Sequence, residues 1–272
     1  MDRFYVWTGL TAVAGLGMIA ASATAAPTPA ANAAFDAYVA KLEARLTRNH
    51  AAAGTFLADA GPENWLRMRS GEIVIDRVDA GAQAQTPGAM LHDWRAEAFV
   101  PGATVEDVER MLGDFAAYPQ RFAPQVVTAK VVARDGDWVQ AAMRMRQHHV
   151  ITVVMDADYD VRFGRLDTRH GYSISRSTRI AEISGAGTAH EHALSASEEH
   201  GFLWRMNTYW GYEERDGGVA LEVESISLTR AIPAGLGWAV RPFVESVPRE
   251  SLEFTLSCAR KALAHEPVRG GE

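Results

Sequence analysis

The sequence predicts an α+β fold in which an antiparallel sheet packs against a long C-terminal helix. Two long strand patterns within residues 201–233 flank Asp216-Gly217, and aspartate followed by glycine is typical of a tight type I′ hairpin turn. Further strand patterns precede this hairpin, and residues 248–264 follow it with the periodicity of a helix. A helix with one apolar stripe is expected to cover one face of the sheet.

The first 25 residues are interpreted as a signal peptide. Residues 10–21 form a short apolar run, and Ala23-Thr24-Ala25 has the small-x-small pattern that signal peptidase recognises. An uncleaved N-terminal anchor is the alternative, although the run is short for a membrane-spanning helix. The expected location is therefore periplasmic or secreted. Cys258 is the only cysteine, so no intrachain disulfide forms, and we expect it to be packed and inert.

The N-terminal part of the mature chain is predicted to contain a helix and two strands. Residues 26–34 are interpreted as a linker because they are rich in alanine and proline. Residues 35–58 have apolar side chains at helical spacing and predict an amphipathic helix that ends at Gly61-Pro62. Strands are predicted at 72–78 and 91–100, with a loop at 80–88 between them.

A short helix is predicted after the second strand. Thr104 and Asp107 are spaced as a capping box, and an apolar stripe follows them. Strand patterns then dominate up to the hairpin. They cover 126–133, 138–146, 148–163 and 172–183. The single domain is predicted to span residues 35–264, and residues 265–272 form a C-terminal tail.

The composition is ordinary for a globular protein, with 272 residues, 47% hydrophobic residues and a formal net charge of −7. This charge excludes a nucleic-acid partner that is bound by a basic surface. The sequence lacks a nucleophile elbow, a Walker loop, a zinc-protease motif and a dinucleotide-binding glycine motif. We therefore assign no catalytic residue and no cofactor. The oligomeric state and transient contact with a membrane are left open.

Alternation along the hairpin sorts its side chains onto two faces. Counting outward from the turn pairs Tyr212 with Leu221, Trp210 with Val223, Thr208 with Ser225, Met206 with Ser227 and Trp204 with Thr229. Flat aromatic walls with a few hydroxyl groups suit an apolar ligand that has a polar end. The candidate ligand-binding residues are Trp204, Met206, Thr208, Trp210, Tyr212, Leu221, Val223 and Ser225. Core packing of the same side chains is the alternative.

The opposite face of the hairpin is largely polar and gives a second candidate set. Its members, with one histidine from the strand region before it, are His149, Arg205, Asn207, Tyr209 and Glu224. If this face were inward, these groups would bind a polar head through charge-assisted hydrogen bonds. Otherwise they form a solvated outer surface. Both sets cannot face the same interior.

Two histidine pairs and three alternating aspartates are candidate metal ligands. The histidine pairs are His148-His149 and His190-x-His192, and Asp156, Asp158 and Asp160 alternate along one strand. No third histidine or cysteine has a recognisable spacing, and the aspartates lack the glycine of an EF-hand loop. We therefore assign no metal, and we expect the aspartates to be solvated.

Two local motifs, together with the order of the elements, resemble a known superfamily. The first is VEDVERMLGDFAAYP at 105–119, and the second is LTRAIP at 228–233, followed by Gly-Trp, Arg-Pro-Phe and Pro-Arg-Glu-Ser-Leu. They are similar to the START domain and the wider SRPBCC (helix-grip) superfamily, which includes polyketide cyclases and the birch pollen allergen family. The resemblance covers residues 35–264.

This resemblance implies a helix-grip fold, in which a curved antiparallel sheet wraps around the C-terminal helix and encloses a hydrophobic cavity. It also implies a hydrophobic small-molecule ligand such as a lipid, a sterol or a polyketide. We expect a carrier or sensor of a lipid or sterol-like compound. An enzyme of the polyketide cyclase or aromatase type is the alternative, and an interaction domain with a filled core is a third. The superfamily supplies no strict binding motif, so no residue role is transferred.

Overall fold

The computed structural model describes residues 26–58, 60–78, 86, 88–148, 151–232 and 237–265, and their side chains except those of 237–245 and 265. The predictions for residues 1–25, for His149 and for the tail after residue 265 fall outside the described residues.

The described chain contains five α-helices and nine strands. The helices are α1 (Pro29–Asn49), α2 (Gly61–Arg69), α3 (Val105–Gly113), α4 (Tyr118–Arg121) and α5 (Gly237–His265). The strands are β1 (Val74–Arg77), β2 (Ala89–Pro101), β3 (Val126–Asp135), β4 (Trp138–His148), β5 (Thr152–Asp167), β6 (His170–Ser184), β7 (His192–Ala193), β8 (Arg205–Arg215) and β9 (Gly218–Arg230).

The strands form one antiparallel sheet in the order β1-β2-β9-β8-β6-β5-β4-β3, and β7 pairs with β6. The predicted hairpin is confirmed, because Tyr212 pairs with Leu221 and Thr208 with Ser225 across β8 and β9. Asp216 and Gly217 have φ angles of 50° and 77°, as a type I′ turn requires.

Four helix boundaries differ from the sequence predictions, and one of them is the end of α1, which lies at Asn49 and not at residue 58. Helix α1 begins at Pro29, inside the segment interpreted as a linker, because the Thr28 hydroxyl accepts the amide of Ala31 and caps the first turn. Pro62 lies in the first turn of α2, where its missing amide costs nothing, so Gly61-Pro62 begins a helix. Helix α5 begins at Gly237, before the predicted start at residue 248. The capping box of α3 is confirmed.

Helices cover the two faces of the sheet at β2, β8 and β9. We call the face toward α5 the inner face and the face toward α1 the outer face. On the inner face, Leu252 and Leu256 of α5 pack with Val223 and Trp210, and α3 joins the same cluster. On the outer face, α1 packs on a second cluster of sheet residues. That cluster contains Phe35, Leu42, Leu46, Tyr209, Ile226 and Leu228.

A long antiparallel sheet with a C-terminal helix along its inner face is the helix-grip architecture of the α+β class, as predicted. Helix α1 is an addition on the other side of the sheet. None of the helices among the described residues is long and apolar enough to cross a membrane.

Candidate functional site

The inner face has a tightly filled end. Trp210 is 7% exposed and Tyr212 is fully buried, and both lie in one cluster with Leu221, Val223 and the apolar residues of α3 and α5. These four members of the predicted ligand-binding set therefore form the core beneath α5 in the described structure. They close one end of the inner face.

Next to this end, the inner face carries a band of hydroxyl groups. Ser175 pairs with Thr208, which pairs with Ser225, so three adjacent strands present hydroxyls in one row. The next row contains Ser227, Met206 and Ser177, and the Ser177 hydroxyl accepts the amide of Met206 at 2.9 Å. We call this group the hydroxyl strip; its members are Ser175, Ser177, Thr208, Ser225 and Ser227. All but Ser227 are half-buried.

Apolar side chains of β4, β5 and β6 continue the inner face beyond the hydroxyl strip. Met143, Met145 and Ile180 are half-buried and pack around Tyr159, which is 3% exposed. The Tyr159 hydroxyl contacts the sulfur of Met145 at 3.9 Å, and burial raises the pKa of Tyr159. The phenol therefore stays neutral. This side of the strip offers an apolar surface that is accessible in part.

Trp94 of β2 flanks the strip on the other side. It pairs with Ser225, is half-buried, and its Nε1 atom is buried without a hydrogen-bond partner among the described residues. Arg77 of the edge strand β1 lies 5.9 Å from the centre of its ring. A buried indole donor without an acceptor carries a desolvation cost, which an acceptor on a ligand would remove.

A cleft opens at the α3 end of the inner face. It encloses about 430 Å³ between α3, the β3–β4 turn and β5. Val139 and Phe163 contribute its apolar lining, while Glu109, Arg134 and Arg165 contribute charge. Phe163 pairs with Ser173, which pairs with Trp210. The cleft therefore borders the row of inner-face residues that contains Trp210.

The remaining predicted residue of this set, Trp204, lies just before β8. Its amide donates to the carbonyl of Leu228 at 2.8 Å. Its ring packs with the cluster that includes Phe35 and Leu228 on the α1 side. The hairpin pairing predicted this indole on the same face as Met206. Trp204 precedes β8, and the alternation of side chains along a strand does not apply outside the strand.

The four described members of the polar candidate set, Arg205, Asn207, Tyr209 and Glu224, lie on the outer face, where they contact α1 or one another. Tyr209 donates to Glu43 of α1 at 2.9 Å, Asn207 donates to the Tyr209 hydroxyl, and Arg205 contacts Asp36 at 2.7 Å. The expectation of a solvated surface is wrong for Asn207 and Tyr209, because α1 removes them from water. The set does not converge on the inner face.

Glu224 is the centre of a buried charge network on that outer face. It is 1% exposed and accepts hydrogen bonds from Arg45 of α1 at 2.5 Å and Arg95 of β2 at 3.0 Å. Glu222 beside it accepts the amide of Ala58 at 2.8 Å. Two arginines thus compensate carboxylates that could not otherwise be buried.

Asp93 belongs to the same network, although the sequence pattern does not predict this. Burial, and next the charge of Glu224, raise its pKa from 3.8 to about 8. Its Oδ2 accepts the Tyr38 hydroxyl at 2.7 Å, whereas its Oδ1 is buried without a hydrogen-bond partner among the described residues. Helix α1 and β9 create this environment, so local sequence gives no signal for it.

The histidines and aspartates considered for metal binding have other partners. His192 hydrogen-bonds to the carbonyl of His190 in an exposed loop, His148 contacts Thr152, and Asp156 is paired with Arg144. Within the described ranges, no group of three or more potential ligand side chains could hold a metal ion.

The residues of the hydroxyl strip on β6 were missed, although a signal was present. Ser173, Ser175 and Ser177 alternate with larger side chains, and this period of two places the three serines on one face of a strand. The register of the β8–β9 hairpin does not extend to β6, so it does not connect these serines with Thr208.

No protein-family model and no curated protein sequence matches the chain. Solved structures with a similar arrangement include a START superfamily protein from Mycobacterium smegmatis, with 13% identity, a TM-score of 0.42, and coverage of 64% of this chain and 96% of that one. An aromatase/cyclase from Streptomyces sp. R1128 has 13% identity, a TM-score of 0.47, and coverage of 67% and 99%. A STAR-related lipid transfer protein from Xanthomonas axonopodis has 15% identity, a TM-score of 0.43, and coverage of 70% and 98%.

Proposed function

We propose that this protein binds a hydrophobic small molecule, lipid or sterol-like, on the inner face and acts as an exported carrier or sensor. The observation that carries the proposal is the accessible part of that face, where Met143, Met145 and Met206 are half-buried around the hydroxyl strip. Covering such apolar surface with a ligand is favourable by roughly 25 cal/mol per Å² before ordering costs. Flexible methionine side chains also adapt to ligands of different shapes.

The cleft beside α3 supports the same proposal. Its volume of about 430 Å³ lies in the usual range for small-molecule pockets, roughly 300–1,000 Å³. Phe163 and Val139 contribute apolar side chains to its lining, and Glu109, Arg134, Asp137 and Arg165 contribute charged ones.

The test is uptake of lipid from vesicles by the full chain, measured by native mass spectrometry after the vesicles are removed. The variant is Met206→Lys, which places an ammonium group among the half-buried residues of the inner face. We expect wild-type protein to carry bound lipid and the variant to lose it, because a charge without a partner is costly to cover with an apolar ligand. Thr178→Lys, at an exposed position of β6, is the matched control and should retain uptake.

Circular dichroism of the three proteins separates loss of binding from loss of folding. A wild-type protein that carries no lipid from its own host and takes none from vesicles would refute the proposal. So would uptake by Met206→Lys equal to that of wild type, since the ligand would then bind elsewhere.

The enzyme alternative has less support from the geometry. A cyclase would need polar groups that face the bound chain and steer proton transfer. Arg205, Tyr209 and Glu224 of the polar candidate set make their contacts with α1 and β2 on the outer face. We therefore retain the carrier or sensor as the proposed function.

Export is part of the proposal and is supported by the sequence of residues 1–25. Signal peptidase is expected to cut after Ala25, so that the mature protein begins at Ala26, close to the start of α1 at Pro29. N-terminal sequencing of the protein from the periplasm or medium of a bacterial host tests this. An intact N-terminus beginning at Met1 in the cytoplasmic fraction would contradict export.

A further inference from the structure

Apart from the buried imidazole of His92, which pairs in register with Ser227 and contacts the Thr229 hydroxyl, the polar groups at the centre of the inner face are hydroxyls and an indole. The hydroxyl strip brings five hydroxyl groups from β6, β8 and β9 onto one surface, and the Nε1 donor of Trp94 lies beside it. Hydroxyl groups both donate and accept hydrogen bonds, whereas an indole only donates. Such groups match an alcohol or a carbonyl on a ligand.

The arginines of the central strands lie on the outer face instead. By register, Arg95, Arg176 and Arg205 alternate with inner-face residues, and each makes an ion pair on the outer side. Their partners are Glu224, Glu43 and Asp36, the last two from α1. These cations are therefore not directed toward a ligand on the inner face.

Charged side chains that reach the inner side, among the residues described, stand at the margins of the sheet. Arg77 lies on the edge strand, and Arg165 at the cleft pairs with Glu106 and Glu109 of α3. Glu182 accepts the amides of His200, Gly201 and Phe202 at 2.9–3.0 Å. A carboxylate at this position would also repel an anionic ligand.

We infer that the ligand class is a lipid whose head has no formal charge and bears a hydroxyl or ester group, and that Thr208, Ser225 and Trp94 select this head. The inference rests on the proposed function. A carboxylate or phosphate next to the strip would lose its hydration and gain only neutral donors in return. Burial of an ionised group without an opposite charge costs several kcal/mol, so charged heads are disfavoured there.

The test compares lipids that differ in the charge of their heads. Full-length protein is incubated with phosphatidylcholine vesicles that also contain cholesterol, dioleoylglycerol or oleic acid, and the bound species are identified by native mass spectrometry. We expect cholesterol or dioleoylglycerol to be bound in preference to oleate and phosphatidylcholine. Preferential binding of oleate or phosphatidylcholine would overturn the inference and leave the proposed function intact.

Substitutions at Thr208 and Ser225 test whether these residues bind the lipid head. Thr208→Val and Ser225→Ala together remove two neutral hydrogen bonds at nearly constant shape, so affinity for the uncharged lipid should fall about tenfold. Thr178→Val, at an exposed position of β6, is the matched control and should bind as wild type does. An unchanged affinity in the folded double variant would overturn the assignment of these residues. Failure to bind any of the lipids would refute the proposed function and the inference with it.

Discussion

Asp93 combines burial, a neighbouring carboxylate and an incomplete hydrogen-bond shell. It is 1% exposed, and the raised pKa of about 8 means that its carboxyl group is mostly protonated in the folded protein at neutral pH. In the unfolded chain an aspartate has a pKa of about 3.9. The folded state therefore binds more protons than the unfolded state between these values, and Asp93 makes the fold less stable as the pH rises from about 4 to about 8.

Replacing Asp93 with asparagine should remove this pH dependence. The amide resembles the protonated carboxyl group in shape, and it can still accept the hydrogen bond from Tyr38. We expect Asp93→Asn to gain about 2 kcal/mol of unfolding free energy relative to wild type between pH 6 and pH 9. Urea unfolding at the two pH values measures the difference.

The control for Asp93 is Asp135→Asn at the exposed end of β3. Its unfolding free energy should follow that of wild type at both pH values. If Asp93→Asn also follows wild type, the carboxyl group at position 93 is ionised throughout and the account of its environment fails.

The stability that His50 contributes depends on pH in the opposite direction to that of Asp93. It stacks between the rings of Phe56 and Tyr172, with centroid distances of 4.5 Å, and burial lowers its pKa to about 4. The unfolded chain takes up the proton first, near pH 6.5, so the stability contributed by His50 is complete above that value and is lost as the pH falls toward 4.

Replacing His50 with phenylalanine keeps the stack and removes the titration. We expect the variant to lose less stability than wild type between pH 7 and pH 4.5, by on the order of 1 kcal/mol because the ring is partly accessible to solvent. Urea unfolding measures the difference, and His190→Gln in the exposed loop is the control. A variant as acid-sensitive as wild type would contradict the predicted protonation.

At the residue level, the sequence predicted those properties of the site that depend on strand alternation. It placed Met206, Thr208 and Ser225 on one face, because the turn at Asp216-Gly217 fixes the register. It could not show that Trp210 belongs to a filled core, because that depends on the position of α5. The environment of Asp93 could not be predicted either, because its neighbours come from α1 and β9, which are distant in the sequence.

The outer face of the sheet carries many charged residues that are buried, and α1 is the reason that they can be buried. Glu43 accepts hydrogen bonds from Arg176 and Tyr209, and Arg45 reaches Glu224, so the helix supplies partners as well as apolar cover. Buried carboxylates without such partners would destabilise the fold by several kcal/mol. The helix is therefore an integral part of the folded unit.

Loss of Arg45 should be costly because Glu224 cannot reach water. Arg45→Met leaves the 1%-exposed carboxylate with Arg95 as its remaining charged partner. We expect the unfolding free energy to fall by about 2–3 kcal/mol. The double variant with Glu224→Gln should lose less than the sum of the single variants, because the pair is then removed as a unit.

The matched control is Arg249→Met on α5. Arg249 and Glu253 form an exposed pair at 3.4 Å, and both side chains are half exposed, so its loss should cost less than about 0.5 kcal/mol. Denaturant unfolding of wild type and of the four variants gives the comparison. Equal losses for Arg45→Met and Arg249→Met would show that the α1 pair contributes no more than a surface pair.

At the element level, strands were easier to predict than helix starts. Long alternating patterns and glycine turns are local signals, so the strands from β3 to β9 were predicted, apart from the two-residue β7, although β5 lies four residues later than the predicted 148–163. Helix starts depend on caps and on tertiary cover. Thr28 begins α1 inside an alanine- and proline-rich segment, and Pro62 begins α2 although proline is also typical of a helix end.

On the scale of the whole molecule, β8 and β9 connect two cores. Tyr209 and Ile226 point into the cluster under α1, while Trp210 and Val223 point into the cluster under α5. Neighbouring residues of the same strands therefore belong to different sides of the sheet. Unfolding of either core would expose one face of β8 and β9, and the other core needs the same strands. We therefore expect α1 and α5 to unfold together.

This coupling predicts a single cooperative unfolding transition, whichever core is weakened. Leu46→Ala in α1 and Leu256→Ala in α5 each truncate a side chain that is at most 5% exposed, and each should lower the unfolding free energy by about 2–4 kcal/mol. Tryptophan fluorescence and far-ultraviolet circular dichroism should report the same urea midpoint in both variants, as two-state unfolding requires. A Leu46→Ala protein that loses part of its helical signal before the fluorescence changes would mean that α1 unfolds independently of the sheet and α5.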